Sequence, residues 1–215
     1  MTSQSGNATT LACEEGCGCK FPHAKAFVLS IDGVDHFFCC SDCADSYRRN
    51  FSTETSQVLH DHVVAGQTVA DLGCGLGHYT AMLSGLVAPH GHVYATDVKV
   101  QRIRLLRDTL RRMGKESIVT AKVTPSARLP FIPNESLDFV LSNDVLCCLN
   151  SRSTAIREIN RILKHNGLAY IRASRASPTG VSPIQEGEWS NLMSPFRRIR
   201  SGGDETIRWA FVSKR

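Results

Sequence analysis

The chain has 215 residues, 42% hydrophobic and 21% charged, with a formal net charge of +5. That length holds one full domain and a small second one, and the composition buries a core, which excludes a wholly disordered chain. No apolar run approaches the roughly 20 residues of a membrane span, Met1 to Leu11 is polar rather than signal-like, and the basic residues are spread along the chain, which argues against a membrane anchor and a nucleic-acid footprint.

Residues 1–10, rich in Ser, Thr, Asn and Gly, read as a disordered leader. Six of the nine cysteines follow between Cys13 and Cys43, and without a secretion signal such clustering favours a metal site over disulfides. Within this segment, Ala26 to Ile31 is predicted as a strand, Asp32-Gly33 as a turn and His36 to Phe38 as a second strand. Ser41 then caps a helix from about Asp42 to Asn50. Residues 11–50 are expected to form a small cysteine module, and residues 51–215 the main domain.

From Thr68 onward, short apolar strands alternate with amphipathic helices. Strands are predicted at Thr68–Asp71, His92–Thr96, Ser117–Val123, Leu137–Ser142 and Gly167–Arg172, with helices at Tyr79–Val87, Val100–Met113 and Ser153–Leu163. This alternation implies βαβ units and a parallel sheet with helices on both faces, an α/β Rossmann-like fold. Residues from Phe196 to Val212 read as a closing hairpin of edge strands, and Glu188 to Met193 as cover for a pocket.

Asp71-Leu-Gly73-Cys-Gly75-Leu-Gly77 follows a buried strand and opens a helix, where a ligand can approach the backbone. The glycine spacing differs from the dinucleotide fingerprint. Asp97, at the end of the next strand, offers a carboxylate to the hydroxyls of a ribose. These two blocks, with Leu129-Pro-Phe131, Ser136 to Ser142 and Arg157 to Gly167, resemble in order the motifs of class I S-adenosylmethionine-dependent methyltransferases. The likeness is strongest to the small-molecule group that includes the ubiquinone and menaquinone enzymes, and runs from about Val63 to Arg172.

That resemblance implies that Asp71, Gly73, Gly75 and Gly77 hold the methionine part of the cofactor. Asp97 would bind its ribose, Val98 would flank its adenine, and Asn143 would line the methyl-transfer site. Asn143-Asp144 also reads as a helix N-cap. Where the family carries an acidic residue for the adenine amino group, this chain reads Val123-Thr-Pro-Ser-Ala127, which leaves Ser126 or backbone groups for that contact. No general base is identifiable. His78, in the glycine loop, is expected to cap or contact cofactor.

Asp32 to Cys39 and Cys43 to Tyr47 resemble TRASH and archaeal ribosomal treble-clef zinc modules, in which two pairs of cysteines hold the ion. Cys39 and Cys43 match the second pair and Cys17 one member of the first. Cys13 is taken as the other member, with Cys19 and Cys40 as competing ligands. Cys147 and Cys148 are adjacent, and on one helix they would point apart and could not easily share a pocket.

The reading is therefore of a soluble, cytoplasmic methyltransferase that uses S-adenosylmethionine on a small-molecule acceptor and carries Zn2+ in its module, through which a protein partner could bind. Two alternatives remain open. One is a metalloid methyltransferase that uses its cysteines; the other is a metal-responsive regulator whose cofactor fold is residual.

Overall fold

The computed structural model describes residues 10–13, 19–31, 34–49, 53–124, 127–175 and 180–215. They fall into two compact units, divided between Thr55 and Ser56.

In the first unit, β1 (Thr10–Ala12) pairs antiparallel with β2 (Lys20–Pro22). A 3-10 turn at His23–Lys25 leads to β3 (Phe27–Ile31) and β4 (Val34–Phe38), which pair antiparallel with Phe27 opposite Phe38. Helix α1 (Ser41–Arg49) follows. The expected hairpin and helix are present, whereas the turn at Asp32-Gly33 and the leader up to residue 9 lie outside the described residues. Strands β1 and β2, at three residues each, are too short to show a period-2 pattern. Phe38 is fully buried against the Tyr47 ring, whose hydroxyl lies 3.3 Å from Nδ1 of the buried His36.

Helix α2 (Thr53–His62) crosses the division between the units. The sequence gives little signal for it, because Leu59 is accompanied on its buried side by Thr55 and Ser56 rather than by apolar residues. The chain then runs β5 (Thr68–Leu72), α3 (His78–Leu86), β6 (His92–Asp97), α4 (Val100–Arg112), β7 (Val119–Val123), β8 (Leu137–Asn143), a 3-10 turn (Leu146–Cys148), α5 (Arg152–Ile162), β9 (Leu163–Ser174), α6 (Glu186–Met193), β10 (Phe196–Gly203) and β11 (Ile207–Lys214).

These eleven strands include one sheet of seven, ordered β10-β11-β9-β8-β5-β6-β7. The five strands from β9 to β7 are parallel, while β11 runs antiparallel to both β9 and β10. The closing hairpin forms as expected, but β11 lies inside the sheet, so of the hairpin's two strands only β10 is an edge. Residues 197–203 of that strand are all exposed and include three arginines, a composition that discourages pairing with another chain. Strands β5 and β8 read as nearly continuous apolar runs because both faces of a parallel sheet are covered. On one face, Ala70, Val140, Ile171 and Val212 of the sheet meet Ile156 and Ile159 of α5 and Trp189, Leu192 and Met193 of α6. No helix among the described residues is long and apolar enough to cross a membrane.

Candidate cofactor site and cysteine cluster

Strand order reverses at β5, whose neighbours β6 and β8 lead to opposite edges. Open α/β sheets place ligands at such a switch point, beyond the carboxyl ends of the strands. A cleft opens there, and its lining includes Gly73, Asp97, Val98, Leu129, Ser142 and Val145.

The glycine loop is shaped by contacts that only glycine tolerates. Gly73, Gly75 and Gly77 take φ of +70°, +57° and +92°. A Cβ on Gly73 would stand 2.4 Å from Cγ2 of Val145, and one on Gly77 2.2 Å from Cδ1 of Leu106. Gly75 is different: nothing lies within 4 Å of its Cβ direction, so its backbone is open to a ligand. Gly77 is the N-cap of α3, and His78 is the first residue of that helix, edge-on to Tyr79.

Two acids support this loop. Asp97 is 4% exposed; its Oδ2 accepts from the Gly75 amide at 3.1 Å, and its Oδ1 accepts from the Lys99 amide at 2.8 Å. Asp71 is buried below, at the end of β5, and accepts from the Thr80 hydroxyl at 2.6 Å. Burial pushes the Asp71 carboxyl up to about 7; the Thr80 bond pulls the other way and the charge of Asp97 adds to the rise. Val98 lies at the rim of the cleft, 58% exposed, and Asn143 is half-buried at the end of β8. Ser126 lies outside the described residues, while Thr124, two residues before it, is buried and lines the cleft.

The segment after β8 departs from expectation. Asn143-Asp144 caps no helix: Asp144 takes φ +56°, its amide donates to Arg172 O, its carboxylate pairs with the Arg172 guanidinium, and the 3-10 turn begins after Val145. The adjacent thiols nonetheless meet, with Sγ of Cys147 and Cys148 at 3.8 Å rather than pointing apart. Burial pushes the Cys147 thiol up to about 12, with Cys148 adding to the rise.

Several supporting residues become visible only in three dimensions. Glu158 and Arg161 of α5 grip the loop that carries Leu129-Pro-Phe131. Glu158 accepts from the Leu129 amide at 2.8 Å, and Arg161 donates to Leu129 O, Ile132 O and Asn134 Oδ1. They also pair with one another, which lowers the Glu158 carboxyl and raises the Arg161 guanidinium. Arg161→Ala leaves three acceptors without this partner, so we expect a stability loss of about 2 kcal/mol, or about 4–8 °C in Tm, with weaker cofactor binding. Thermal melts with and without S-adenosylhomocysteine check this; an unchanged Tm would remove the grip.

In the first unit, Sγ atoms of Cys13, Cys39 and Cys43 lie within 4.8 Å of one another. Cys39 and Cys43 follow the i, i+4 spacing and meet at 3.7 Å, close to the edge of about 3.8 Å of a tetrahedron with 2.3 Å zinc–sulfur bonds. The pairing of β1 with β2 brings Cys13 in, where its Sγ accepts from the Cys39 amide at 3.5 Å. Cys40 Sγ is 3.8 Å from Cys39 but outside this triad. Cys19 is exposed, its carbonyl bonded to the Cys13 amide, and Cys17 lies outside the described residues.

Residues 70–171 match the family described as "Methyltransferase domain". The ubiquinone/menaquinone biosynthesis C-methyltransferase UbiE of Pasteurella multocida is 33% identical over 151 residues, 70% of this chain and 56% of that protein. The chain thus spans a little over half the length of the curated relatives it matches. A SAM dependent methyltransferase from Aquifex aeolicus superposes with a TM-score of 0.64 at 19% identity, over 80% of this chain and 98% of that one. Geranyl diphosphate C-methyltransferase from Streptomyces coelicolor, solved with S-adenosyl-L-homocysteine, gives 0.66 at 11% identity, over 81% and 82%. With a sheet of this order and a family match across its centre, the chain carries a class I S-adenosylmethionine-dependent methyltransferase domain.

Proposed function

We propose that the chain transfers a methyl group from S-adenosylmethionine to a small-molecule acceptor at the carboxyl end of β8. The observation that carries this reading is the open backbone of Gly75 held beside the buried Asp97 carboxylate at the switch point. When bound, the cofactor supplies an electrophilic methyl on its sulfonium. The residues of the chain do the rest. The loop from Gly73 to Gly77 and the Asp71 carboxylate take the methionine part, and Asp97 accepts from the ribose hydroxyls. Val98 and Leu129 flank the adenine, with Thr124, Ser126 or backbone groups for its amino group. Asn143 lines the acceptor end, and the rate comes from aligning nucleophile and methyl group.

The relatives bear the name of a C-methyltransferase of ubiquinone and menaquinone biosynthesis, so an electron-rich ring carbon of the hydroquinone kind is the first acceptor to test. Methyl-labelled cofactor should pass its label to a member of a hydroquinone and phenol panel, and Asp97→Ala should not support this. Intact cofactor binding with no labelled product from any of them would overturn the acceptor class.

We also read Cys13, Cys39 and Cys43 as ligands of a structural zinc ion, with Cys17 as the fourth. A unit of two strand pairs and a helix has little core, so its folding would be coupled to the metal. Free thiols of this kind fit the reducing interior of a cell. The purified protein should hold about one zinc per chain, and Cys39→Ser should release it and unfold the unit. Elemental analysis and a zinc titration check both; a protein that takes up no zinc would overturn the reading.

A further inference from the structure

We propose that Cys147 and Cys148 form a dithiol site for a trivalent metalloid, an arsenic or antimony centre that carries at least two exchangeable hydroxyl groups. The site is separate from the methyl-acceptor reading above and stands without it. The 3-10 turn that bears both cysteines follows β8, and its flanks Val145 and Leu149 line the cofactor cleft.

The two thiols converge. Their Sγ atoms lie 3.8 Å apart, and both donate to one acceptor, the Asp144 carbonyl, at 3.2 Å from Cys147 and 3.7 Å from Cys148. A shared acceptor puts both sulfurs on the same side of the turn. Asp144 is itself fixed, because its amide donates to Arg172 O and its carboxylate pairs with the Arg172 guanidinium. Cys147 is only 3% exposed, whereas Cys148 is half-buried, so a ligand meets Cys148 first and Cys147 second.

The separation selects the occupant. A disulfide needs about 2.05 Å between sulfurs. A linear two-coordinate ion with bonds of about 2.3 Å needs about 4.6 Å. The span found here is that of two sulfurs bonded at a bent angle to one centre, and it is close to the 3.7 Å between Cys39 and Cys43. A tetrahedral metal ion would need two further ligands. Among the described residues, Cys13, Cys39 and Cys43 are the one group of three or more Cys, His, Asp or Glu side chains that closes to metal-binding distance, and neither Cys147 nor Cys148 belongs to it. A pyramidal trivalent centre brings its own third ligand and asks the protein for two soft sulfurs only.

The exchange balances without oxidation or reduction. Each thiol hydrogen leaves with one hydroxyl as water, two bonds from the metalloid to sulfur replace two to oxygen, and the centre stays trivalent. Burial pushes the Cys147 thiol up to about 12, so at neutral pH it is protonated and a poor nucleophile toward alkylating agents. An exchange that removes the thiol hydrogen as water suits such a group.

The probe is phenylarsine oxide, a trivalent aryl arsenical, added to the purified chain in excess glutathione and followed by peptide mass spectrometry. One phenylarsenic group should bridge Cys147 and Cys148, survive the monothiol and be removed by 2,3-dimercaptopropanol. Cys147→Ser and Cys148→Ser should each weaken its retention about 100-fold or more, because the second thiol binds as an intramolecular ligand. Circular dichroism checks that both variants fold. A second measurement needs no variant: in competition with 2,3-dimercaptopropanol, the folded wild type should bind about tenfold more tightly than a synthetic peptide of residues 143–152, because the turn has already gathered the sulfurs. Affinity no greater than that of the peptide, a glutathione-resistant adduct in either folded serine variant, or displacement of the arsenical by an equal concentration of zinc or copper(I) would overturn the proposal.

Discussion

Replacing Asp97 by alanine is expected to weaken S-adenosylhomocysteine binding by about 100-fold or more while leaving the sheet folded. Two effects combine. The carboxylate latches the Gly75 and Lys99 amides, and Arg102 stands 3.4 Å away, so its loss frees two donors and unhooks Gly75 in the middle of the loop. It also removes a charged acceptor from the ribose hydroxyls. Charge-assisted hydrogen bonds contribute about 1.5–3 kcal/mol each, and two of them convert to at least about 100-fold in Kd. Asp97→Asn keeps an acceptor oxygen but not the charge, so its loss should be smaller, about tenfold. Calorimetric titration, with circular dichroism as a check on folding, makes the comparison. A change under tenfold for the alanine variant would take Asp97 out of the site.

Most of the sheet was legible because parallel strands covered on both faces must be apolar, and the helices between them must show one apolar face. Ile103, Leu106 and Leu110 on α4 are the plain case. The glycine loop and Asp97 were legible for another reason: each lies in one strand and the turn after it, so their chemistry is local. Thr80, Glu158 and Arg161 were not, because the groups they hold in Asp71 and Leu129 are between 9 and 32 residues distant and belong to other elements. Helix α6 carries Trp189, Leu192 and Met193 at helical spacing, but eight residues containing a glycine give too short a window to identify it as a helix. The same limit hid β1 and β2, and with them the route by which Cys13 reaches Cys39. Cys147 and Cys148 show what side-chain torsions add: they are adjacent on a 3-10 turn, yet their sulfurs lie 3.8 Å apart, which the direction of the Cα–Cβ bonds alone does not reveal.

Binding of S-adenosylhomocysteine should weaken as pH falls below about 7, and Asp71→Asn should remove that dependence. The Asp71 carboxyl, raised by burial to about 7, holds a proton in the folded apo protein that it would lose in the unfolded chain near the ordinary aspartate value of about 3.9. Between those values the native state binds more protons than the unfolded state, so the contribution of this group to stability is greatest below about 4 and declines as pH rises to 7. The ammonium of the methionine part favours the ionised form, so its binding must expel the proton wherever the apo protein still holds it. Affinity should then fall by up to about tenfold per pH unit below 7, with proton release in the calorimeter. Asp71→Asn keeps an acceptor for the Thr80 hydroxyl but never ionises. We expect it to melt a few degrees higher than wild type at pH 8, where the buried charge is costly, and to bind weakly at every pH. Wild-type binding that is flat from pH 6 to 8, without proton release, would show that Asp71 does not face the ammonium. The stability cost of its burial would then belong to the fold alone.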